Sequence, residues 1–395
     1  MSAVKLTDGI YSVGIQNPNM RVFDIVMQTD SGTTYNSYIV RGSEKTALIE
    51  TCHEGFFEQY VQNIQEVCDP KEIDYIVMNH NEPDHSGAMA KLLELMPNAK
   101  LVSSIAGANY LRNITNRCDL DVHKVKDGEE IDLGGKTLTF ISAPNLHWPD
   151  SMMTYVKEEK LLLSNDGFGQ HLASDGLFVN EQPLDLVVNE AKSYYANILF
   201  PYGAQAEKAL NTAGTLGLDI EMIAPSHGCI WSGKDEVNTI LGLYAKWASG
   251  KNEGKAVVVY DSMWGATAKM AETVMAEFQD AGIPVTKHCL AVENVSEVMV
   301  DFLDAAYVCI GNPTLNNQLF PRVAGFVTYM KGLAPRGKKA LAFGSYGWKP
   351  GVVKQIQQVY EELGWQTVAP FEEKYTPKAE VLEQLKERVR ELIKL

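Results

Sequence analysis

Apolar and polar positions follow two different patterns along the chain, and the change between them divides it into two parts. Before about residue 248, short apolar runs come in pairs and predict short strands, interrupted by helical stretches. After residue 255, continuous apolar runs alternate regularly with amphipathic stretches of helical period. A chain of 395 residues is also too long to fold around one hydrophobic core of typical size. We therefore expect two domains.

In the first part, the pattern predicts strands over residues 33–40, 46–51, 74–78, 101–104, 137–144 and 152–166, with hairpin arms in the last two stretches. It predicts helices over residues 55–67, 86–96 and 239–248. The polar, glycine-bearing stretch 249–255 then reads as a linker. These features place one domain at residues 1–250 and the other at residues 255–395.

The second part has the pattern of an α/β domain. Strands are predicted over residues 255–263, 284–290, 305–314, 338–346 and 365–373, with helical stretches between them such as 266–282. Continuous apolar strands are typical of a parallel sheet that helices cover on both faces. Right-handed crossovers then give a doubly wound sheet.

The net charge of −15 lies entirely in the first part. Residues 1–254 hold 19 basic and 34 acidic side chains, whereas the rest of the chain holds 16 of each. Nucleic acid is therefore not expected as a partner, because phosphate binding needs clustered lysine and arginine. A role in solubility explains this excess of acidic side chains at least as well as electrostatic steering of a ligand does.

The chain has no apolar run of the roughly 18–20 residues that a membrane span needs, and its first residues lack the pattern of a secretion signal. We expect a cytoplasmic protein with no membrane partner. The six cysteines are scattered without a CxxC pair, which favours reduced thiols and excludes a built-in rubredoxin or zinc ribbon.

Seven side chains indicate a metal centre. Four lie within six residues after the predicted strand 74–78, and three more each follow an apolar run: His80, Glu82, Asp84, His85, His147, Asp166 and His227. Seven oxygen and nitrogen donors are enough for two metal ions. Carboxylates mixed with imidazoles, without thiolates, suit iron or manganese as well as zinc.

Three loops at predicted strand ends indicate a mononucleotide. Residues 262–267 join a strand to a helix, where hydroxyls and backbone N–H groups can hold a phosphate. Neither a triphosphate-binding loop nor GxGxxG is present, so a small terminal phosphate fits better than a dinucleotide. The loops 311–318 and 344–351 offer aromatic faces and amides for a flat polar ring.

These loops resemble those of flavodoxins, which implies FMN. The resemblance assigns the cofactor to residues of all three loops: Ser262, Met263, Trp264, Gly265, Ala266, Thr267, Pro313, Thr314, Leu315, Asn316, Asn317, Ser345, Tyr346, Gly347 and Trp348. Ala266 stands where many flavodoxins carry Asn or Ser, so Thr267 and the backbone are expected to compensate at the phosphate.

The pattern H-x-E-x-D-H resembles the metallo-β-lactamase motif H-x-H-x-D-H, with Glu82 in place of the middle histidine. That resemblance implies a four-layer αββα sandwich. Both parts in this order resemble the flavodiiron proteins across nearly the whole chain, in stretches such as HNEPDHSG, LHWPDSM, NDGFGQH, AKSYYANI and IAPSHG.

The family resemblance implies how the two irons would be held. His80, Glu82 and His147 would hold one iron, and the other would be held by Asp84, His85 and His227. Asp166 would bridge the pair.

The same resemblance implies an enzyme that reduces dioxygen to water, nitric oxide to nitrous oxide, or both, with FMN as the electron relay. It further implies a head-to-tail homodimer, or a dimer of dimers, and an external electron donor such as rubredoxin or a reduced deazaflavin. A zinc hydrolase with an accessory flavodoxin domain, and a pure electron-transfer flavoprotein, are the alternatives.

Several residues near these motifs keep open roles. His171 is either a histidine that orients a ligand or a hydrogen-bonded core histidine, and either Tyr194 or Tyr195 is expected to donate a hydrogen bond near the irons. Asp24 stands where family members often have histidine, and Trp148 is expected in the pocket wall. Three further histidines are expected to be non-functional: His53, His123 and His288.

Overall fold

The computed structural model describes residues 2–395, which fold as two compact units. The first unit comprises residues as far as Phe23, Thr29–Tyr194 and Tyr202–Ala248. The second comprises Ser249–Leu395 together with two short segments from earlier in the chain, Asp24–Gln28 and Tyr195–Pro201. The pattern of the sequence does not predict that these two segments group with the later half.

The strands of the first part of the chain are β1 (Val4–Thr7), β2 (Ile10–Ser12), β3 (Ile15–Asn17), β4 (Val22–Phe23), β5 (Met27–Gln28), β6 (Thr33–Tyr35), β7 (Tyr38–Arg41), β8 (Thr46–Ile49), β9 (Tyr75–Met78), β10 (Lys100–Ser103), β11 (Val122–Lys124), β12 (Glu130–Asp132), β13 (Thr137–Ser142), β14 (Met152–Val156), β15 (Leu161–Asn165), β16 (Met222–Pro225) and β17 (Trp231–Ser232). The helices are α1 (Phe57–Gln65), α2 (Pro83–Ser86), α3 (Met89–Leu95), α4 (Ile105–Ile114), α5 (Leu184–Tyr194), α6 (Gly203–Thr215) and α7 (Lys234–Ala248).

Two sheets of the first unit pack face to face. One has the order β1-β2-β7-β8-β9-β10-β11 and the other the order β12-β13-β14-β15-β16-β17. Side chains alternate between the faces of a strand. In β8, Ala47 and Ile49 therefore join the core between the sheets, whereas Leu48 joins the core under α1, α3 and α4. Helix α7 packs on β16 and β17 of the second sheet, which completes the αββα sandwich.

The later part of the chain contains β18 (Lys255–Tyr260), α8 (Ala266–Asp280), β19 (Val285–Cys289), α9 (Val295–Phe302), β20 (Ala305–Pro313), α10 (Pro321–Leu333), β21 (Lys339–Tyr346), α11 (Lys354–Glu362), β22 (Gln366–Thr367), β23 (Phe371–Lys374) and α12 (Ala379–Lys394). The strands are all parallel, in the order β19-β18-β20-β21-β22, with β23 also paired to β21.

Apolar residues cover both faces of this parallel sheet. In β18, Val257 and Val259 face one core, and Ala256 and Val258 face the other. A strand with two buried faces needs a continuous apolar run, which is the pattern that the sequence shows. The predicted doubly wound sheet is therefore confirmed, as is the sandwich implied by the family resemblance.

Some predicted elements are wrong in extent. The stretch 33–40 is divided, because β6 pairs with β3 in a small separate sheet whereas β7 joins the seven-stranded one. The stretch 365–373 is divided into β22 and β23, which both pair with β21. The helix predicted over 86–96 begins at Met89, and the helix predicted from residue 239 begins at Lys234.

Hairpin pairing in the second sheet is as predicted. Strand β14 runs antiparallel to both β13 and β15. Across residues 2–395, no helix combines the length and the apolar content that a membrane crossing needs. The six cysteines, all of them described, form no disulfide.

Candidate metal and flavin sites

The seven predicted metal ligands come together at one end of the sandwich. Strand β9 ends at Met78, and His80 to His85 follow it through a loop into the short helix α2, where Pro83 takes the first helical position. Asp166 directly follows β15, and His227 follows β16, its parallel neighbour. Because β15 and β16 end at the same edge of their sheet, Asp166 and His227 meet there, and the loop after β9 of the facing sheet brings its donors beside them.

Four of these residues form a first cluster of donor atoms. His80, Glu82, His147 and Asp166 each place one nitrogen or oxygen within 4.8 Å of the others. The Nε2 atom of His80 lies 3.3 Å from Oε2 of Glu82 and 3.6 Å from Oδ2 of Asp166. The Nε2 atom of His147 lies 3.2 Å and 3.3 Å from the same two oxygens. This spacing suits one ion placed between the four atoms.

A second cluster lies on the other side of Asp166. It consists of Asp84, His85 and His227, whose donor atoms again lie within 4.8 Å of one another. The Oδ1 atom of Asp166 is 3.1 Å from Nε2 of His85 and 3.4 Å from Nε2 of His227. Asp166 thus presents one oxygen to each cluster, which is the geometry of a bridging carboxylate.

The second cluster has unsatisfied polar atoms that a cation would satisfy. Both carboxylate oxygens of Asp84 and of Asp166, together with Nε2 of His85 and of His227, are buried and have no hydrogen-bond partner among the described residues. Leaving a buried carboxylate unpaired is costly, and buried charges are normally paired or bound to metal. The residues present therefore fit a pair of metal ions.

The buried carboxylates and imidazoles of the two clusters shift one another's pKa values. Burial lowers the pKa of the His147 imidazole, but the close carboxylates of Asp166 and Glu82 outweigh burial and raise that pKa to about 10. The same balance, with Asp166 and Asp84 as partners, raises the pKa of His227 to about 9. Burial raises the pKa of Asp166, but the neighbouring His85 and the close imidazoles of His147 and His227 hold it well below its ordinary value.

Two ligand histidines are oriented by partners at their Nδ1 atoms. The Nδ1 atom of His80 lies 3.1 Å from Oδ1 of Asp150, a fully buried carboxylate that also accepts a hydrogen bond from the side chain of Asn81. The Nδ1 atom of His227 lies 2.6 Å from the main-chain oxygen of Thr34. Such partners fix the ring so that Nε2 faces the metal. Sequence reasoning missed Asp150, although it lies only three residues after His147.

Glu50 is a second buried carboxylate that sequence reasoning missed. It follows β8, is 2% exposed, and accepts a hydrogen bond from the backbone N–H of Asn79 at 3.0 Å. Burial raises its pKa to about 7, and the nearby His85 and His80 limit that rise.

The residues with open roles lie at different places. His171 is fully buried, with Nδ1 2.8 Å from Oγ1 of Thr33 and its ring 5.3 Å from that of His227. The ring of Tyr194 is 6.0 Å from that of His227, so this tyrosine lies beside the second cluster. Tyr195 begins a π-helical segment of the second unit, and Asp24 also belongs to that unit, with a positive φ of 48°.

The three histidines predicted to be non-functional have other partners. His53 caps the turn that precedes α1 by accepting from the N–H of Gly55. His123 pairs with Glu129, and His288 lies between two further carboxylates.

A groove opens beside the first cluster. It has a volume of about 430 Å³, and its wall includes His147, Trp148, Tyr110, Ile114 and Tyr202. The ring of Trp148 is 5.0 Å from that of His80, so Trp148 lies in the wall of the groove as the sequence predicts.

The predicted flavin loops enclose a separate cavity of about 360 Å³ at the carboxyl ends of the parallel strands. Eleven of the fifteen predicted residues line it: Met263, Trp264, Ala266, Pro313, Thr314, Leu315, Asn316, Ser345, Tyr346, Gly347 and Trp348. Two further lining residues, Tyr375 and Thr376, follow β23 and have no flavodoxin-like signal in the sequence.

The other four predicted residues shape the loops rather than line the cavity. Ser262 accepts a hydrogen bond from the N–H of Gly265, whose φ of 84° suits glycine just before α8. Thr267 and Ser345 exchange a hydrogen bond of 2.9 Å between hydroxyls. Asn317 follows Leu315 within a tight turn and has a positive φ of 59°.

The cavity fits a phosphate-bearing flat ring. The N-terminus of α8, a helix of 15 residues, lies at the first loop and attracts an anion. The hydroxyl of Thr314 is buried in the cavity wall without a partner among the described side chains or backbone. Tyr346 and the exposed Trp348 supply aromatic surface.

Comparison with known proteins matches both halves. Residues 33–228 match the family model "ODP family beta lactamase", and residues 258–388 match the model "Flavodoxin". A nitric oxide reductase from Moorella thermoacetica is 41% identical over 356 residues, which cover 90% of this chain and 88% of that protein.

Solved structures agree over the full length. The rubredoxin oxygen:oxidoreductase of Desulfovibrio gigas superposes with a TM-score of 0.97 at 37% identity, covering 100% of this chain and 98% of that one. The flavodiiron protein of Giardia intestinalis superposes with a TM-score of 0.94 at 32% identity, covering 100% and 96%. The chain belongs to the flavodiiron protein family. Its cofactors are accordingly FMN and a di-iron centre, and the residues present fit both.

Proposed function

We propose that this flavodiiron protein reduces dioxygen to water, nitric oxide to nitrous oxide, or both. The observation that carries the proposal is the pair of donor clusters that share Asp166, with the carboxylate of Glu82 where metallo-β-lactamases have a histidine. The comparisons support it, because relatives over most of the chain are named nitric oxide reductase and rubredoxin oxygen:oxidoreductase. A donor set that includes carboxylates favours iron more than a set made only of imidazoles does.

In this proposal His80, Glu82 and His147 hold one iron, and Asp84, His85 and His227 hold the other. Asp166 contributes an oxygen to each. When bound and reduced, the two irons and FMN together hold the four electrons that dioxygen requires. Dioxygen, four electrons and four protons give two waters. Two nitric oxide molecules, two electrons and two protons give nitrous oxide and one water.

The protein's own part is to arrange charge and to limit access. Asp166, Asp84 and His227 are almost fully buried, so bulk water is largely excluded from the second cluster. The clusters meet solvent on the side of His147, whose side chain is 11% exposed beside the apolar groove. A small uncharged gas can reach the centre through such a groove without losing a hydration shell.

Metal content and gas consumption test the proposal together. The purified, iron-loaded protein should contain about two irons and one FMN per chain and should consume dioxygen, nitric oxide or both when reduced. His147→Ala should abolish most of this consumption, whereas His123→Ala, which removes an exposed histidine outside the clusters, should leave it unchanged. Two zinc ions with hydrolytic activity would support the hydrolase alternative. Unchanged gas consumption in His147→Ala would support the electron-transfer alternative.

We also infer that two copies associate head to tail, so that the flavin of one chain meets the metal centre of the other. Exposed aromatic side chains around the flavin cavity support this arrangement: Trp264, Trp348 and Tyr375 are 90%, 80% and 62% exposed. The groove beside His147 is a matching apolar surface. Contiguous exposed apolar surface commonly marks an interface.

Light scattering tests the association. The wild-type protein should have the mass of a dimer or a dimer of dimers. Trp348→Glu should weaken the association and slow gas reduction, whereas Val292→Glu, at a residue that is 83% exposed, should do neither. A monomer with full activity would contradict this part of the proposal.

An external donor completes the proposal. Exposed lysines lie near the flavin cavity, among them Lys349, Lys374 and Lys378, and they favour an acidic electron carrier such as rubredoxin over a neutral one. Lys374→Glu should lower the rate of flavin reduction by rubredoxin several-fold at low salt, and Lys126→Glu in the first unit should not. Equal rates would favour a reduced deazaflavin instead. A cytoplasmic location remains a prediction.

A further inference from the structure

His85 is held differently from the other buried ligand histidines. A neutral imidazole that offers the Nε2 lone pair to a metal carries its proton on Nδ1, so Nδ1 must find an acceptor. His80 has Asp150 as that acceptor, and His227 has the main-chain oxygen of Thr34. No such acceptor lies within 3.5 Å of Nδ1 of His85 among the described residues, which leaves its orientation to be explained.

Two groups face Nδ1 of His85. The side-chain nitrogen of Asn165 lies 3.5 Å away, but it is a donor that also bonds to Oε1 of Glu50 at 3.2 Å and to Ser226. Two donors cannot satisfy each other. The second group is Oε2 of Glu50, which lies 3.8 Å from Nδ1.

Oε2 of Glu50 needs a donor as much as Nδ1 of His85 needs an acceptor. It is fully buried and has no hydrogen-bond partner in residues 2–395. The two atoms are less than about 1 Å beyond hydrogen-bonding distance. A small rotation of the His85 ring therefore brings them into a hydrogen bond that satisfies both.

The rest of Glu50 is anchored firmly enough to aim this oxygen. Oε1 accepts from the N–H of Asn79, and the backbone N–H of Glu50 donates to the carbonyl of Val77 at 2.9 Å. The carbonyl of Glu50 accepts from Ser37 and Tyr60. Its φ of 62° is unusual for glutamate and persists only where surrounding contacts impose it.

We propose that Glu50 is the positioning residue for His85: its Oε2 accepts the Nδ1 proton and so turns Nε2 toward the ion bound by Asp84, His85 and His227. Asp150 has the corresponding role for His80 in the other cluster. Each of the two ions then depends on its own buried carboxylate behind a ligand histidine. This inference rests on the proposed metal centre.

Cobalt(II) binding to the chelated protein tests it. The wild type should bind two cobalt ions per chain, seen in the visible absorption of bound cobalt. Glu50→Gln keeps the acceptor for Asn79 but turns an amide N–H toward His85, which disfavours the tautomer that binds metal. We expect affinity at one site to fall about 10–100-fold and the other to change little. Asp150→Asn should show the opposite selectivity.

Two comparisons identify the cause of a loss. In a His85→Ala background, Glu50→Gln should cause no further loss of cobalt affinity, because the group it positions is gone. Glu277→Gln removes another buried carboxylate, one paired with Arg390 in the second unit, and should leave both cobalt sites unchanged. Circular dichroism of each variant checks its folding.

If Glu50→Gln does not fold, a measurement on the wild-type protein still tests the proposal. Proton NMR of the cobalt-loaded wild type should show a slowly exchanging, strongly shifted N–H resonance from His85, which disappears in His85→Ala. Its absence would overturn the proposal. So would two wild-type cobalt sites that Glu50→Gln leaves unchanged or weakens equally. Fewer than two sites in the wild type would contradict the metal centre itself.

Discussion

Removal of the metals should lead to protonation of the ligand imidazoles, and the structure indicates roughly how many protons they take up. Without metal, the pKa is raised to about 10 for His147 and about 9 for His227, and that of His85 lies well above its ordinary value. All three are therefore protonated at about pH 7.5, whereas each must be neutral to bind metal. Because the pKa of the fourth ligand imidazole, His80, is raised as well, binding of two ferrous ions should release at least about three protons per chain.

The same count determines how metal affinity depends on pH. Each released proton makes binding about 1.4 kcal/mol more favourable per pH unit. Three protons then give about 4 kcal/mol per unit for the two ions together between about pH 7 and pH 9. Above about pH 10 His147 and His227 are largely neutral without metal, and their part of the dependence should disappear.

Anaerobic calorimetry measures the protons directly. Ferrous ions are titrated into chelated protein in two buffers that differ in ionisation enthalpy, and the difference in heat gives the number released. His147→Gln should release about one proton fewer, and His123→Gln should match the wild type. Release of fewer than about one proton per chain near pH 7.5 would refute the assignment of charge in the metal-free site.

The metal-free protein should also lose stability in alkali. A histidine whose folded pKa is raised stabilises the fold fully below its unfolded pKa of about 6.5, and that contribution is lost as pH rises through the folded value. Chelated protein should therefore unfold at lower denaturant concentration at about pH 10 than at about pH 7. Metal-loaded protein should show a smaller change. Equal midpoints for the chelated protein at both pH values would contradict this reasoning.

Three further changes test the fold. Lys338→Met should lower the free energy of unfolding by about 3 kcal/mol, because the buried amino group of Lys338 bonds to three oxygens that the change leaves without a partner. Lys339→Met, at the next residue, where β21 begins, should cost less than about 1 kcal/mol, and equal losses would count against the explanation. Gly344→Ala should lower FMN content, since its Cβ would lie 2.2 Å from a carbonyl oxygen of the neighbouring strand, and normal flavin absorbance would show that the strand can yield. Tyr244→Phe should cost about 1–2 kcal/mol in denaturant unfolding because it leaves the buried N–H of Phe168 without its acceptor, and no loss would mean that water replaces the hydroxyl.

Features that depend on a short sequence pattern could be predicted from the sequence. The run from His80 to His85 concentrates four donors after a strand, and the continuous apolar strands after Lys255 permit little but a parallel sheet. Helix and strand limits were less predictable where tertiary pairing decides them. Nothing local at residues 33–40 shows that β6 and β7 belong to different sheets.

Residues that act across the fold had no such pattern. Glu50 lies 35 positions before His85, and Asp150 lies 70 positions after His80. Each is an ordinary acidic residue until the packed strands bring it behind an imidazole. Tyr375 and Thr376 likewise reach the flavin cavity only because β23 pairs with β21.

By itself, the order of residues determined the two-domain α/β architecture, the set of metal donors and the three flavin loops. Each of these depends on composition and spacing within a short stretch, where backbone geometry leaves few choices. Only the tertiary structure decided which carboxylates lie behind the ligand histidines, and that Asp24–Gln28 and Tyr195–Pro201 join the second unit. Those features depend on distances between residues far apart in the chain, and such distances exist only after the sheets have packed.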